Sequence, residues 1–236
     1  MNIRSFCNHL FPHACLLCGG SAGAGPLCGG CRAELPWHRP PQCPQCALPT
    51  PAGQLCGACL KHPPAFETTR AALTYAFPLD RLIPRLKYHG QLAIAPVLGE
   101  CLAEAVEAAP RPDRLIAMPL HPTRIRERGF NHASEIARDV AKRLGVQLET
   151  TSCRRIRDTP PQMGLRHADR RRNVRGAFEC TEDLRGQRIA LVDDVMTTGT
   201  SLDELAKALR AAGAAAVETW VVARALPRGD AGARQP

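Results

Sequence analysis

Arg188-Ile189-Ala190-Leu191-Val192-Asp193-Asp194-Val195-Met196-Thr197-Thr198-Gly199-Thr200-Ser201-Leu202 is the stretch on which the fold turns. Four apolar residues read as a buried strand. It runs straight into two carboxylates, then a Thr-Gly-Thr-Ser turn, then an apolar helix. Gly199 allows a tight turn and a close backbone approach to an anion. The N–H groups opening the next helix, aided by its dipole, bind phosphate. Thr197, Thr198, Thr200 and Ser201 offer hydroxyl donors around it. Asp193 and Asp194 leave the carboxyl end of the strand, where open α/β sheets bind their ligands. Carboxylates beside a phosphate cradle suit ribose hydroxyls or Mg²⁺. The plainer alternative is a solvent-facing turn with a Thr/Ser cap and stray acids, the reading that an isolated Thr-Gly-Thr would call for. The chain contains neither a Walker-type Gly-x-x-x-x-Gly-Lys-Ser/Thr run nor a Gly-x-Gly-x-x-Gly run.

Outward from this turn, strands alternate with helices. Ala71–Phe77 reads as a strand, Leu79–Tyr88 as a helix broken at Pro84, and Ile94–Ala108 as a helix. Arg114–Met118 is a buried strand. Asn131–Leu144 is a helix with Ile136, Val140 and Leu144 at helical spacing and Gly145 as its stop. Val146–Ser152 and Ala216–Ala223 read as strands, and Ser201–Ala212 as a helix. This alternation predicts a parallel α/β sheet flanked by helices.

Two basic segments accompany the turn. Pro119–Phe130 reads as a loop whose Arg124, Arg126 and Arg128 stand ready to clamp a diphosphate, because guanidinium grips phosphate oxygens in pairs. Solvated loop charge is the alternative. The stretch from Arg154 to Arg175 holds eight Arg against Asp158 and Asp169. Thr159–Phe178 reads as a long mobile flap over the ligand, or else as an Arg-rich insertion without a role.

Before Pro63-Pro64 the composition is different. Of twelve cysteines, eight form four Cys-x-x-Cys pairs ahead of residue 60: Cys15/Cys18, Cys28/Cys31, Cys43/Cys46 and Cys56/Cys59. Each half reads Cys-x-x-Cys, nine residues, Cys-x-x-Cys. This spacing suits two closed tetrahedral zinc sites of four thiolates each, structural in role. Pairing across the halves stays open, and disulfides are the rival reading. So Cys- and Pro-rich a segment cannot fold on its own core, and zinc would supply the missing free energy.

The bulk properties bound the rest. The 236 residues suit one domain plus a small appendage. They are 44% apolar but 4% aromatic, so the core is aliphatic. A net charge of +9 favours anionic ligands. With neither a membrane-length apolar run nor a signal-peptide pattern, the expected location is the cytoplasm. The expected domains are residues 1–64 (zinc head), 65–226 (α/β domain) and 227–236 (disordered tail).

The Val-Asp-Asp-Val-Met-Thr-Thr-Gly stretch resembles the phosphoribosyl pyrophosphate (PRPP) signature of type I phosphoribosyltransferases. It combines with Arg128-Gly-Phe-Asn131, with Thr159-x-x-Gln162-x-x-Leu165, Arg170-x-x-Asn173 and Ala177-Phe178, with Lys87-Tyr-His-Gly90 and with the Cys-rich head. Over nearly the whole chain this set resembles the ComF family, amidophosphoribosyltransferase-like proteins linked to competence and DNA uptake. The resemblance implies a type I phosphoribosyltransferase-like fold behind a double zinc ribbon. It implies that Asp193 and Asp194 contact the ribose hydroxyls and that Thr197 to Ser201 wrap the 5′-phosphate. Arg124, Arg126 and Arg128 would face pyrophosphate with Mg²⁺, and Lys87 and Arg170 complete the ligand-binding set. The expected activity is phosphoribosyl transfer to an unread acceptor. The rival is a non-catalytic module that binds PRPP or single-stranded DNA in DNA transport.

Overall fold

The computed structural model describes residues 14–23, 25–158 and 174–227. Its centre is a five-stranded sheet in the order β1-β7-β6-β2-β3, with every neighbouring pair parallel. The strands are β1 (Thr68–Thr74), β2 (Arg114–Ala117), β3 (Gln147–Glu149), β6 (Arg188–Met196) and β7 (Ala216–Arg224). A separate antiparallel hairpin joins β4 (Cys153–Arg155) to β5 (Phe178–Cys180). The sheet helices are α3 (Leu79–His89), α4 (Ile94–Ala105), α5 (Pro122–Arg128), α6 (His132–Leu144) and α7 (Thr200–Ala211).

Ile189 to Val192 of β6 and every β7 residue except Glu218 lie in the interior, Thr219 and Arg224 included. Strands buried on both faces need helices on both sides. α6 packs on β6 and β2, and α4 on β1 and β7. α4 and α6 touch closely at Gly99, where an added Cβ would lie 2.8 Å from Asp139 Cβ and 2.9 Å from the Ile136 carbonyl. α7 packs on β6, β7 and the hairpin strand β5.

The head carries two short helices, α1 (Gly29–Ala33) and α2 (Gly57–Lys61). Its Pro36–His38 segment runs antiparallel along the outer edge of β1. His38 N–H donates to the Ala72 carbonyl at 2.9 Å, and Thr74 N–H to the Pro36 carbonyl at 2.7 Å. The free side of the edge strand is thereby occupied in part.

Several elements differ from the sequence reading. β1 lies three residues earlier than expected, because Thr69, polar by composition, is buried with its hydroxyl 2.8 Å from that of Thr219. α3 passes through Pro84 unbroken, since a proline removes one backbone bond and Leu79, Leu82, Ile83 and Leu86 still bury one face. Residues 122–128 form a helix, not a loop, with Pro122 at its first turn and Gly129 as a left-handed stop. β6 continues beyond Val192 to Met196, so both acids lie inside the strand. The flap residues 159–173, Arg170 among them, and nearly all of the expected tail lie outside the described residues.

Candidate functional site

β6 delivers Asp193 and Asp194 to the carboxyl end of the sheet. Alternation along a strand sends neighbouring side chains to opposite faces. Here each carboxylate swings forward to accept the next amide: Asp193 Oδ1 from Asp194 N–H at 2.9 Å, and Asp194 Oδ1 from Val195 N–H at 2.8 Å. As a result, ligand atoms of Asp193, Asp194 and His132 lie within 4.8 Å of one another.

The two acids have different environments. Asp194 is 2% exposed. Lys87 Nζ from α3 sits 2.5 Å from its Oδ2, and His132 Nε2 from α6 lies 3.6 Å from its Oδ1. Burial alone would raise its pKa, but Lys87 and His132 outweigh burial and hold it well below the usual carboxylate range. Lys87 is likewise kept charged: burial opposes its charge, and Asp194 with Asp193 overcomes that cost. His132 is held neutral, chiefly by burial. Asp193 remains half-buried, and among the described residues no cation comes so close to it. Burial first, then the neighbouring Asp194 carboxylate, pushes it up to about 8.

Past Met196 the chain turns through Thr197, Thr198 and Gly199 into α7. Gly199 has φ 75° and caps the helix, with no side chain satisfying the first amides from that position. A Cβ there would lie 2.5 Å from Met196 Cε. Thr198 and Thr200 hydroxyls are 2.8 Å apart, and Thr200 is itself buried. Thr197 is exposed at the mouth of the turn. A helix begins with amides that have no carbonyl partner of its own, so this mouth presents the donors and dipole that anions bind.

The expected arginine clamp needs correction in its geometry. In a helix, residues two apart point in nearly opposite directions. Arg124 and Arg128 share a face of α5, while Arg126 is exposed away from them. Arg124 pairs with Glu127 at 2.8 Å. Arg128 lies over the Tyr88 ring, 5.4 Å from its centroid, with Nη1 2.6 Å from His132 Nδ1. Arg128, His132, Asp194 and Lys87 therefore form one continuous chain of polar contacts behind the strand end.

Sequence reasoning passed over two contributors. His132, which has no assigned role in the sequence reading, is 5% exposed. Its position one residue after the Asn131 cap was the available signal, because a first-turn residue on the helix's packed side faces the sheet. Arg155, at the end of β4, lies over Phe178 at 5.6 Å and is close enough to feel Asp158, Asp193 and Arg124.

The head holds two thiolate groups, Cys15/Cys18/Cys28/Cys31 and Cys43/Cys46/Cys56/Cys59, so each zinc site is built within one half. Cys18 and Cys28 sulfurs are 3.8 Å apart, and Cys46 and Cys56 sulfurs 3.6 Å. A tetrahedron with Zn–S bonds of about 2.3 Å has edges of about 3.8 Å, whereas a disulfide needs about 2.05 Å. Gly20 and Cys31 amides each donate to a cysteine sulfur at 3.4 Å. These spacings fit zinc held by four thiolates, with no position left open for catalysis.

The double zinc ribbon domain model matches residues 6–60, and the phosphoribosyl transferase domain model residues 130–233. The chain is 34% identical over 191 residues to the DNA utilization protein YhgH of Escherichia coli K12, covering 78% of this chain and 84% of that protein. It is 32% identical over 220 residues to competence protein F of Haemophilus influenzae, covering 89% and 90%. Among solved structures, the purine phosphoribosyltransferase of Pyrococcus horikoshii aligns over 71% of this chain and 99% of its own, at 15% identity and a TM-score of 0.33. None of the helices in the described residues is long and apolar enough to cross a membrane. With a double zinc ribbon ahead of a phosphoribosyltransferase domain and these relatives along most of its length, the chain belongs to the ComF family, that of competence protein F and DNA utilization protein YhgH.

Proposed function

We propose that this protein binds PRPP with Mg²⁺ in the cytoplasm and transfers its phosphoribosyl group to an acceptor, releasing pyrophosphate, in the service of DNA uptake or use. The observation that carries this reading is the join of β6 to α7, where an acid pair backed by Lys87 and His132 meets a left-handed Gly199 and an open helix mouth. Thr197 to Ser201 would receive the 5′-phosphate. Asp193, the less enclosed acid, would take the ribose hydroxyls or share Mg²⁺ with the ligand, and Asp194, fixed by Lys87, would shape its position. Oxygen donors of this kind suit Mg²⁺, which would neutralise pyrophosphate charge. Arg128, and Arg124 once it leaves Glu127, lie on the face of α5 fitted to the same task. Since such a transition state is oxocarbenium-like, the protein's part is positioning and charge neutralisation.

Calorimetry with PRPP, with and without Mg²⁺, tests binding, and pyrophosphate release in the presence of candidate acceptors tests turnover. Magnesium-dependent binding lost in Asp193→Asn is the expected result. No affinity for any pentose phosphate would reject the site, whereas binding without pyrophosphate release would favour a sensor or scaffold.

A further inference from the structure

Arg224, the last residue of β7, is 3% exposed. No carboxylate pairs with it among the described residues. Its guanidinium is spread over backbone carbonyls: Nε donates to Cys46 O at 2.7 Å, and Nη1 to Met196 O at 2.9 Å, Thr197 O at 2.5 Å and Ala225 O at 2.7 Å. One planar group thus bridges a zinc-ligating residue, the last residue of β6 and the first residue of the candidate phosphate turn. A buried arginine needs a counter-charge. The Cys43/Cys46/Cys56/Cys59 group, whose Cys46 carbonyl the guanidinium already holds, would supply one, since four thiolates with Zn²⁺ carry a net charge of −2 and four thiols none.

The rest of this knuckle is held in the same way. Pro44 O accepts from Thr69 N–H at 3.1 Å, Gln45 O from the Thr69 hydroxyl at 2.6 Å, and Ala47 O lies 2.8 Å from His38 Nε2. The Gln45 amide donates to Phe66 O at 3.4 Å, and Phe66 lies beside Gly199. The first zinc group meets the sheet domain differently, through the surface pairing of Arg32 with Glu104 and Glu100 on α4.

We propose that Arg224 is a positioning residue that couples zinc in the second thiolate group to the phosphate turn, so that pentose-phosphate binding and zinc retention in that group strengthen each other. The inference rests on the PRPP reading of the turn and adds how that site is regulated. Coupling of two binding events is reciprocal. PRPP with Mg²⁺ therefore retards zinc loss from the second group and leaves the first unchanged. Arg224→Met keeps the side-chain bulk and removes the fork; Arg224→Lys keeps the charge but cannot span the carbonyls.

The test uses the full-length, zinc-loaded protein. Zinc is withdrawn by a zinc-selective chelator, freed thiols are alkylated, and peptide mapping reports Cys43–Cys59 separately from Cys15–Cys31. PRPP with Mg²⁺ is expected to slow alkylation of the second group at least fivefold and the first not at all. Arg224→Met, with both zincs still bound, is expected to lose that protection and about tenfold in PRPP affinity, with Arg224→Lys between it and wild type. Equal protection of both groups, or unaltered affinity and protection in Arg224→Met, overturns the coupling while leaving the PRPP site intact. If wild type binds no PRPP, the site reading itself fails. Amide exchange over Thr197–Ser201 then reads the coupling alone: it must quicken in Arg224→Met, and an unchanged rate overturns it.

Discussion

Replacing Lys87 by Met removes the cation 2.5 Å from Asp194 Oδ2 and leaves the hydrocarbon stem in place. The carboxylate is 3% exposed at the side chain, so water cannot replace the lost partner. Breaking one side of a buried pair costs about 3–5 kcal/mol, because the other charge stays buried and uncompensated. For a chain of this length, where each kcal/mol shifts Tm by about 2–4 °C, the expected fall is roughly 6–20 °C. The pH dependence identifies the cause. In wild type the folded-state pKa of Asp194 lies below its unfolded value, so the pair's contribution is complete above about pH 4 and fades only as pH falls toward the folded value. In Lys87→Met, burial of Asp194 is no longer outweighed, and proton uptake by Asp194 or by His132, 3.6 Å away, relieves the strain as pH falls. The gap in Tm between wild type and variant is therefore widest near pH 8 and narrows toward pH 5. Thermal unfolding of the zinc-loaded proteins across that range measures it. A gap under about 1 kcal/mol, or one constant with pH, would refute the view that Lys87 compensates a buried charge. Asp194→Asn in the Lys87→Met background should recover most of the loss.

Asp193 carries the opposite sign. Its folded pKa of about 8 exceeds the unfolded carboxylate value, so its contribution is present below about pH 4 and is lost as pH rises toward 8. Asp193→Asn should therefore gain Tm relative to wild type between pH 5 and 9 without Mg²⁺, by up to a few kcal/mol; parallel curves would contradict this. Gly199→Ala forces a left-handed residue to carry a Cβ 2.5 Å from Met196 Cε, and should cost about 1–2 kcal/mol by urea unfolding and at least tenfold in PRPP affinity. Gly99→Ala drives a methyl against the α6 backbone and Asp139 rather than against the turn. It should cost about 1–3 kcal/mol net of Ala's better helix propensity, with PRPP affinity unchanged in the folded fraction.

What the sequence made legible was local. The strand, acid pair, glycine turn and helix from Arg188 to Ala211 sit in one continuous run, and α6 announces itself by its apolar spacing, its Asn131 cap and Gly145. The cysteine spacing led to two four-thiolate zinc sites but did not decide which pairs go together, because both pairings use the same Cys-x-x-Cys units. α5 was misread because its arginines have no apolar period, although Pro122 and Gly129 were the start and stop signals of a helix. The partners of Asp194 come from α3 and α6, and long-range pairing leaves no trace in spacing. Arg224 looks like any basic residue after an apolar strand, and its burial follows from the ribbon folding back across the strand ends.

The run of Pro36–His38 along β1 has a consequence for metal-starved protein. An uncovered outer strand is a ready template for another chain. The segment that shields it lies between two cysteine groups whose folding depends on zinc. Protein made without the metal is expected to expose the flank of its sheet to identical copies, so that zinc deficiency shows itself as oligomers and precipitate rather than as a soluble monomer.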